Sequence, residues 1–281
     1  MKKVKLKARA KINITLDILG VEQNYHMLST LVSTIDLHDT ITITKRKDKL
    51  INLKMKGIKV DAPITENNAY KACKMFMQKF DTAGVNVTIN KNIPIAGGLG
   101  GSSADIAGVL NGMKTLFEVE DSVLPLANAL GSDSGYLLTG GYAVLSGRGD
   151  KIERQDIDKK LYLLIITEDK QISAKLGYAT FDAQGKTYAP CTDIALKALK
   201  EGDKETFAKV IKNDLYPASC QILPEITQNL ASLKKVNADA FVMTGSGSAV
   251  YGVFFDKKAR NRAYKNLLPL YKGHLLKAET E

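Results

Sequence analysis

The chain has 281 residues, 44% apolar and 25% charged, a composition that fits one large soluble domain or two of ordinary size. Collagen-like, disordered and coiled-coil classes are excluded, and no apolar stretch approaches the ~20 residues a membrane-spanning helix needs. With 40 basic and 30 acidic side chains the net charge is +10, which suits nucleic acid, an anionic membrane or an acidic small molecule equally well.

Residues 4–7 and 12–18 alternate, with Ile12, Ile14, Leu16 and Ile18 on one face, and predict half-buried strands. The alternation also argues against a signal peptide after the basic start. Residues 40–44 (TITIT) predict another strand, and the lysines and arginine at 45–49 read as its solvated end. Thr65 is placed to cap a helix from Asn67 to Phe80, with Ala69, Ala72, Cys73, Phe76 and Met77 at helical spacing. Val85, Val87 and Ile89 alternate toward Pro94. Helical periods follow over 106–117 and 124–130, then a strand over 142–145. The polar stretch 150–160 is the best candidate for a boundary, giving domains 1–155 and 156–281. Beyond it the order is a buried strand (161–167), helices near 192–200, 204–213 and 226–235, strands at 240–243 and 249–255, a helix over 257–268 and a closing strand near 274–277. That order predicts an α+β class with an antiparallel sheet in the second part. Cys73, Cys191 and Cys220 form no zinc or disulfide pattern and suit a reducing, cytoplasmic setting.

The most informative stretch runs from Pro94 through Gly97-Gly98-Leu99-Gly100-Gly101 to Ser102-Ser103-Ala104-Asp105. Glycines let backbone N–H groups approach a ligand closely, and the helix that follows turns its positive dipole end toward the loop. Together these suit a phosphate, with Ser102 or Ser103 able to meet Mg²⁺. The stretch is neither a Walker A loop nor a dinucleotide fingerprint.

Pro-x-x-x-Gly-Leu-Gly followed by Ser-Ser-Ala resembles the phosphate loop of the GHMP kinases. Three further segments follow in that family's order: Ala10-Lys11-Ile12-Asn13, Gly131-Ser132-Asp133 with Gly140-Gly141, and Thr244-Gly245-Ser246-Gly247. Tyr25-His26-x-Leu28 and Gly147-Arg148-Gly149-Asp150 are similar to segments of a branch whose acceptor is an alcohol carrying a cytidine diphosphate group. The departures are Arg9 for a proline, Gln23-Asn24 for Asp-Gly, a serine pair shifted by one, and Ser134-Gly135 after Asp133.

The resemblance implies a two-domain fold, an N-terminal kinase domain with a left-handed βαβ unit and a ferredoxin-like C-terminal domain. It implies ATP and Mg²⁺ as cofactors and phosphorylation of the acceptor's 2-hydroxyl in non-mevalonate isoprenoid precursor synthesis. Lys11 and Asp133 take the catalytic roles: Asp133 orients or deprotonates the attacking hydroxyl, and Lys11 stabilises charge on the transferring group. Asn67, Pro94, Gly97, Gly98, Leu99, Gly100, Gly101, Ser102 and Ser103 would hold ATP. Asn13, Tyr25, His26 and Tyr178 would hold the acceptor, with the two tyrosines walling a cytosine and His26 at its edge. The expected partner is a small molecule, with no nucleic acid and no membrane, in a monomer or homodimer. A GHMP-type kinase for another alcohol, or a silent nucleotide-binding paralogue, stays open as an alternative.

Overall fold

The computed structural model describes residues 2–59, 63–95 and 97–281, so Ala96 of the glycine-rich loop lies outside the described residues. The chain divides into two compact units, neither of them a contiguous stretch. The first comprises Met1–Ala10, Leu37–Ile95 and Gly100–Gly140; the second comprises Lys11–Asp36, Ala96–Leu99 and Gly141–Glu281. Strands β1 (Lys3–Asn13) and β3 (Tyr25–Lys45) each contribute residues to both.

In the first unit, β5 (Val85–Lys91) pairs antiparallel with the end of β3, Thr40 opposite Asn90, and parallel with β4 (Ile51–Gly57), Ile51 opposite Val85. The parallel pair is joined through α1 (Asn68–Phe80), a βαβ unit. Parallel strands need such a crossover, since no hairpin can connect them. Helix α1 buries Ala69, Ala72, Cys73 and Phe76, the face its spacing predicts. Its cap is Asn67, whose Oδ1 accepts from the Ala69 N–H at 2.9 Å. Thr65 sits instead inside a short 3-10 turn, Ile64–Glu66, so the cap falls two residues later than expected.

Helix α2 (Gly101–Phe117) starts directly after the loop, five residues earlier than its apolar period suggests, because its first turn is glycine and serine. It approaches the strands closely through two glycines one turn apart. A Cβ on Gly108 would lie 2.6 Å from Ile41 Cδ1, and one on Gly112 2.7 Å from Ile43 Cδ1. Short helices α3 (Leu124–Leu130) and α4 (Ser134–Leu137) complete the unit. At the end of β3, Arg46 pairs with Asp48 and Lys49 with Asp81, an ion-paired surface.

In the second unit, β2 (Asp17–Glu22) and the start of β3 form a hairpin turned by Gln23 and Asn24, both with positive φ. Two such residues define the tight turn that matches strand twist. Tyr25 and His26 therefore open a 21-residue strand rather than sit in a loop. The expected strand over 12–18 breaks at Ile14–Leu16. The Ile14 and Thr15 N–H groups both meet the Leu31 carbonyl, and Leu16 crosses to bond Lys212. All of 10–18 is buried, so the alternation there reflects two covered faces and not a half-buried strand.

Strand β6 (Tyr142–Gly147) pairs with β3, and β7 (Lys151–Arg154) with β6; β7 occupies part of the polar 150–160 stretch. The remaining strands are β8 (Tyr162–Ile166), β9 (Ala240–Met243), β10 (Val250–Phe254) and β11 (Leu275–Glu279). They form an antiparallel sheet in the order β11-β8-β10-β9. Helices α5 (Ala174–Gln184), α6 (Thr192–Glu201), α7 (Lys204–Val210), α8 (Tyr216–Ile222) and α9 (Glu225–Lys235) lie between β8 and β9 in the chain, and α10 (Lys257–Leu267) between β10 and β11. This is the β-α-β-β-α-β order of a ferredoxin-like domain with extra helices. Leu16 and Ile18 join its core with Leu164, Ile166, Ile226, Val250 and Phe254. No helix among the described residues is long and apolar enough to cross a membrane.

Candidate functional site

The expected site residues fall into two groups, one in each unit. The first unit holds Asn67, Pro94, Gly100, Gly101, Ser102, Ser103 and Asp133; the second holds Lys11, Asn13, Tyr25, His26, Gly97, Gly98, Leu99 and Tyr178.

In the first unit, Gly100 precedes α2 in the left-handed region (φ +73), a conformation glycine takes without strain. No side chain caps α2, so the N–H groups of its first turn are presented along its dipole. The start of α1 lies beside that turn, with Asn68 Nδ2 donating to Ser102 Oγ at 3.1 Å. On the other side sits the segment bearing Asp133. A Cβ on Gly131 would fall 3.0 Å from Ser103 Oγ and 2.6 Å from Ser134 Oγ. The chain thus brings Ser102, Ser103 and the Gly131–Asp133 segment to the first turn of α2. Asp133 stands just ahead of α4, half-buried, and its carboxylate does not cap that helix.

Behind the same turn is a buried ionic group that the motifs touch without predicting. Lys91 Nζ, at the end of β5, donates to Asp39 Oδ2 and, at 2.8 Å, to Asp105 Oδ2. Burial raises the Asp105 carboxyl to about 7; the Lys91 ammonium opposes that rise and the Asp39 carboxylate adds to it. Burial alone would lower Lys91, but the two carboxylates outweigh it and hold the ammonium above its ordinary value.

In the second unit, the Lys11–Asn13 and Thr244–Gly247 segments are locked together. Lys11 Nζ donates to Asn13 Oδ1 at 2.7 Å, and the same oxygen accepts from the Gly245 N–H at 3.0 Å. Asn13 Nδ2 donates to Thr30 Oγ1, and the Asn13 N–H donates to Thr244 Oγ1. Asn13 is buried, and these bonds make it a strut for Lys11 and the Thr244 turn. Gly98 lies against that turn. Its φ is +73, and a Cβ would fall 2.2 Å from the Thr244 carbonyl oxygen. The Lys11 N–H donates to the Leu99 carbonyl at 3.0 Å, so strand, loop and turn form one backbone assembly. Thr244, the hub of this assembly, carries no signal in the sequence beyond its place in the motif.

The remaining residues cluster at the β2–β3 hairpin. Tyr25 is 55% exposed, with the Arg148 guanidinium 4.4 Å from its ring centre. His26 stacks on Tyr178 with ring centres 4.4 Å apart and planes 22° from parallel, and its Nε2 lies 2.7 Å from Asp182 Oδ1. Tyr178 faces His26 here, whereas the sequence reading has it across from Tyr25. Asp182, one helical turn beyond Tyr178 on α5, is a residue sequence reasoning missed; its i,i+4 spacing from Tyr178 is the signal. Among the described residues no group of three or more His, Cys, Asp or Glu side chains is gathered to hold a metal ion.

The glycine loop feeding α2, with serines in its first turn and a carboxylate-bearing segment beside them, defines a phosphate-handling class of protein. Residues 67–153 match the GHMP kinases N terminal domain and residues 195–271 the GHMP kinases C terminal domain. The chain is 33% identical to the 4-diphosphocytidyl-2-C-methyl-D-erythritol kinase of Caldicellulosiruptor saccharolyticus, covering 98% of this chain and 97% of that one. It is 35% identical to the enzyme of the same name from Caldanaerobacter subterraneus subsp. tengcongensis, over 96% and 94% of the two chains. Among solved structures, a 4-(cytidine 5'-diphospho)-2C-methyl-D-erythritol kinase aligns with TM-score 0.85 at 24% identity over 98% of each chain. The L. major mevalonate kinase, in complex with R-mevalonate, shares the fold at TM-score 0.76 and 13% identity, over 99% of this chain and 97% of that one. The chain belongs to the 4-diphosphocytidyl-2-C-methyl-D-erythritol kinase family of the GHMP kinases.

Proposed function

We propose that this chain transfers the γ-phosphoryl group of ATP to the 2-hydroxyl of 4-diphosphocytidyl-2-C-methyl-D-erythritol, a step of non-mevalonate isoprenoid precursor synthesis. The observation that carries the reading is kinship with enzymes of that name along nearly the whole chain. The acceptor oxygen attacks the γ-phosphorus, the bond to the β-γ bridging oxygen breaks, ADP leaves, and the hydroxyl proton passes to Asp133. Lys11 offsets charge on the transferring group. Gly97, Gly98, Leu99, Gly100, Gly101, Ser102 and Ser103 receive the phosphates on backbone N–H groups, Pro94 opens that segment, and Asn67, at the start of α1, borders the nucleotide. Mg²⁺ neutralises phosphate charge when bound. A hydroxyl of Ser102 or Ser103 is a hard oxygen donor of the kind this ion accepts alongside phosphates and water.

Tyr25, His26 and Tyr178 receive the cytidine end, and Asn13 supports the acceptor side through Lys11. The reading carries with it a cytoplasmic location, small-molecule partners and a division into halves at 1–155 and 156–281. The test is purified protein with ATP, Mg²⁺ and the diphosphocytidyl acceptor, with homoserine, mevalonate and sugars in parallel. ADP release with the first acceptor alone supports the proposal; release only with another alcohol, or with none, rejects it.

A further inference from the structure

The buried group behind the loop does more than satisfy charge. Asp39 Oδ1 accepts from the backbone N–H groups of Asn92 and Ile93 at 2.6 and 2.9 Å, the last residues before Pro94. Its Oδ2 takes Lys91, and Lys91 reaches Asp105 in the second turn of α2. Gly101, the first helical residue, lies directly over this ammonium, since a Cβ there would fall 3.5 Å from Lys91 Nζ and 3.1 Å from Ile93 Cγ2. Asp39 is fully buried, and Lys91 and Asp105 are each 5% exposed. One continuous chain of hydrogen bonds therefore joins the residues where the glycine-rich segment leaves the strand to the helix where it ends. Asp105 Oδ1, also buried, has no hydrogen-bond partner among the described residues, so the carboxylate touches the network by one oxygen alone.

We propose that Lys91 and Asp105, anchored by Asp39, are positioning residues for nucleotide binding, fixing the start of the glycine-rich segment against the first turns of α2. A loop that binds phosphate through backbone N–H groups gains affinity only when those groups are held in place before the ligand arrives. A buried hydrogen-bonded tie supplies that rigidity, because letting the loop move off the helix would leave buried polar groups without partners. The proposal rests on the kinase reading.

The experiment compares Mg-ATP binding by titration calorimetry, without acceptor, for wild type, Asp105→Ala and Asp105→Asn. Asp105→Ala cuts the tie to α2 yet leaves Lys91 and Asp39 paired, so no buried charge is orphaned. Asp105→Asn keeps an oxygen for Lys91. Asp105→Ala is expected to weaken Mg-ATP binding about tenfold or more, Asp105→Asn to stay within about threefold of wild type, and both to keep the acceptor KM within about twofold. Thermal melts establish that both variants fold; if Asp105→Ala does not, Lys91→Arg takes its place, with weakened Mg-ATP binding and an unmoved acceptor KM as the same expectation. Wild-type Mg-ATP affinity in a folded Asp105→Ala or Lys91→Arg protein overturns the proposal alone. So does an equal loss toward both substrates, the mark of a merely structural role. A wild-type protein that binds no Mg-ATP overturns the kinase reading and the proposal with it.

Discussion

The carboxylate of Asp182 meets His26 Nε2 at 2.7 Å, while Tyr178, one turn earlier on the same helix, stacks on the face of that ring. In a neutral imidazole the nitrogen beside a carboxylate carries the proton, so Nδ1 is left as an acceptor. A base edge bearing an amino group fits that acceptor. Asp182→Ala should raise the acceptor KM about threefold to tenfold, the range of a half-exposed hydrogen bond of ~1 kcal/mol. His26→Ala should raise it further, and the ATP KM should stay fixed in both. Steady-state kinetics with each substrate varied in turn decides this; an unmoved acceptor KM in both variants would place the cytidine end elsewhere.

Asp133→Ala should lower kcat by ~10²–10⁴-fold with ATP affinity nearly unchanged, since a base acting on the acceptor hydroxyl matters most in the transition state. The carboxylate does not cap α4, so its removal costs that helix no cap. A loss of less than about tenfold would remove Asp133 from the assigned role.

Gly98→Ala should be among the most disruptive single-methyl changes in the chain. The new Cβ would fall 2.2 Å from a backbone oxygen of Thr244, at φ +73, where nothing flexible can yield. Gly149→Ala shares a positive φ, +87, but meets nothing within 4 Å. Only the intrinsic cost of ~1–2 kcal/mol applies there. Urea unfolding of the pair should show Gly98→Ala losing clearly more; equal losses would mean that the contact with the Thr244 turn relaxes.

Asp105 sets a pH dependence whose sign follows from its raised carboxyl, about 7 in the folded chain against 3.8 for an ordinary aspartate. Below pH 4 both folded and unfolded chains hold the proton. Between those values the unfolded chain ionises first, so stability falls as pH rises, by at most ~1.4 kcal/mol per pH unit. Asp105→Asn cannot titrate, and its stability from pH 4.5 to 7.5 should decline less steeply than that of wild type. Denaturation midpoints across that range are the measurement, and parallel curves would show that Asp105 does not carry the proton.

Much of this was readable because the relevant forces are local. Helical spacing marks α1, and Leu124–Leu130 is predicted to the residue. The glycine cluster announces the loop because it is the one place where side chains are stripped away in sequence. Long-range pairing was not readable. No strand is predicted over residues 25–33, whose partners β2 and β6 come from elsewhere in the chain, and α5 is hidden by its weak amphipathicity. Lys91 reads as one lysine among many, since nothing local reveals that two carboxylates from separate elements close around it. Thr244 is equally silent, its contacts to Asn13 and Gly98 lying far away along the chain.

Leu16 and Ile18 belong to the core built by β8, β10 and the helices around them, yet they precede every one of those elements in the chain. During synthesis they emerge from the ribosome long before the surfaces that will cover them. Contacts so distant in sequence form late, because closing a long loop comes before the gain from packing. The second unit therefore cannot finish folding as its early residues appear. It must keep an apolar strand waiting until nearly the whole polypeptide has been made, the interval in which a chaperone would have most to do.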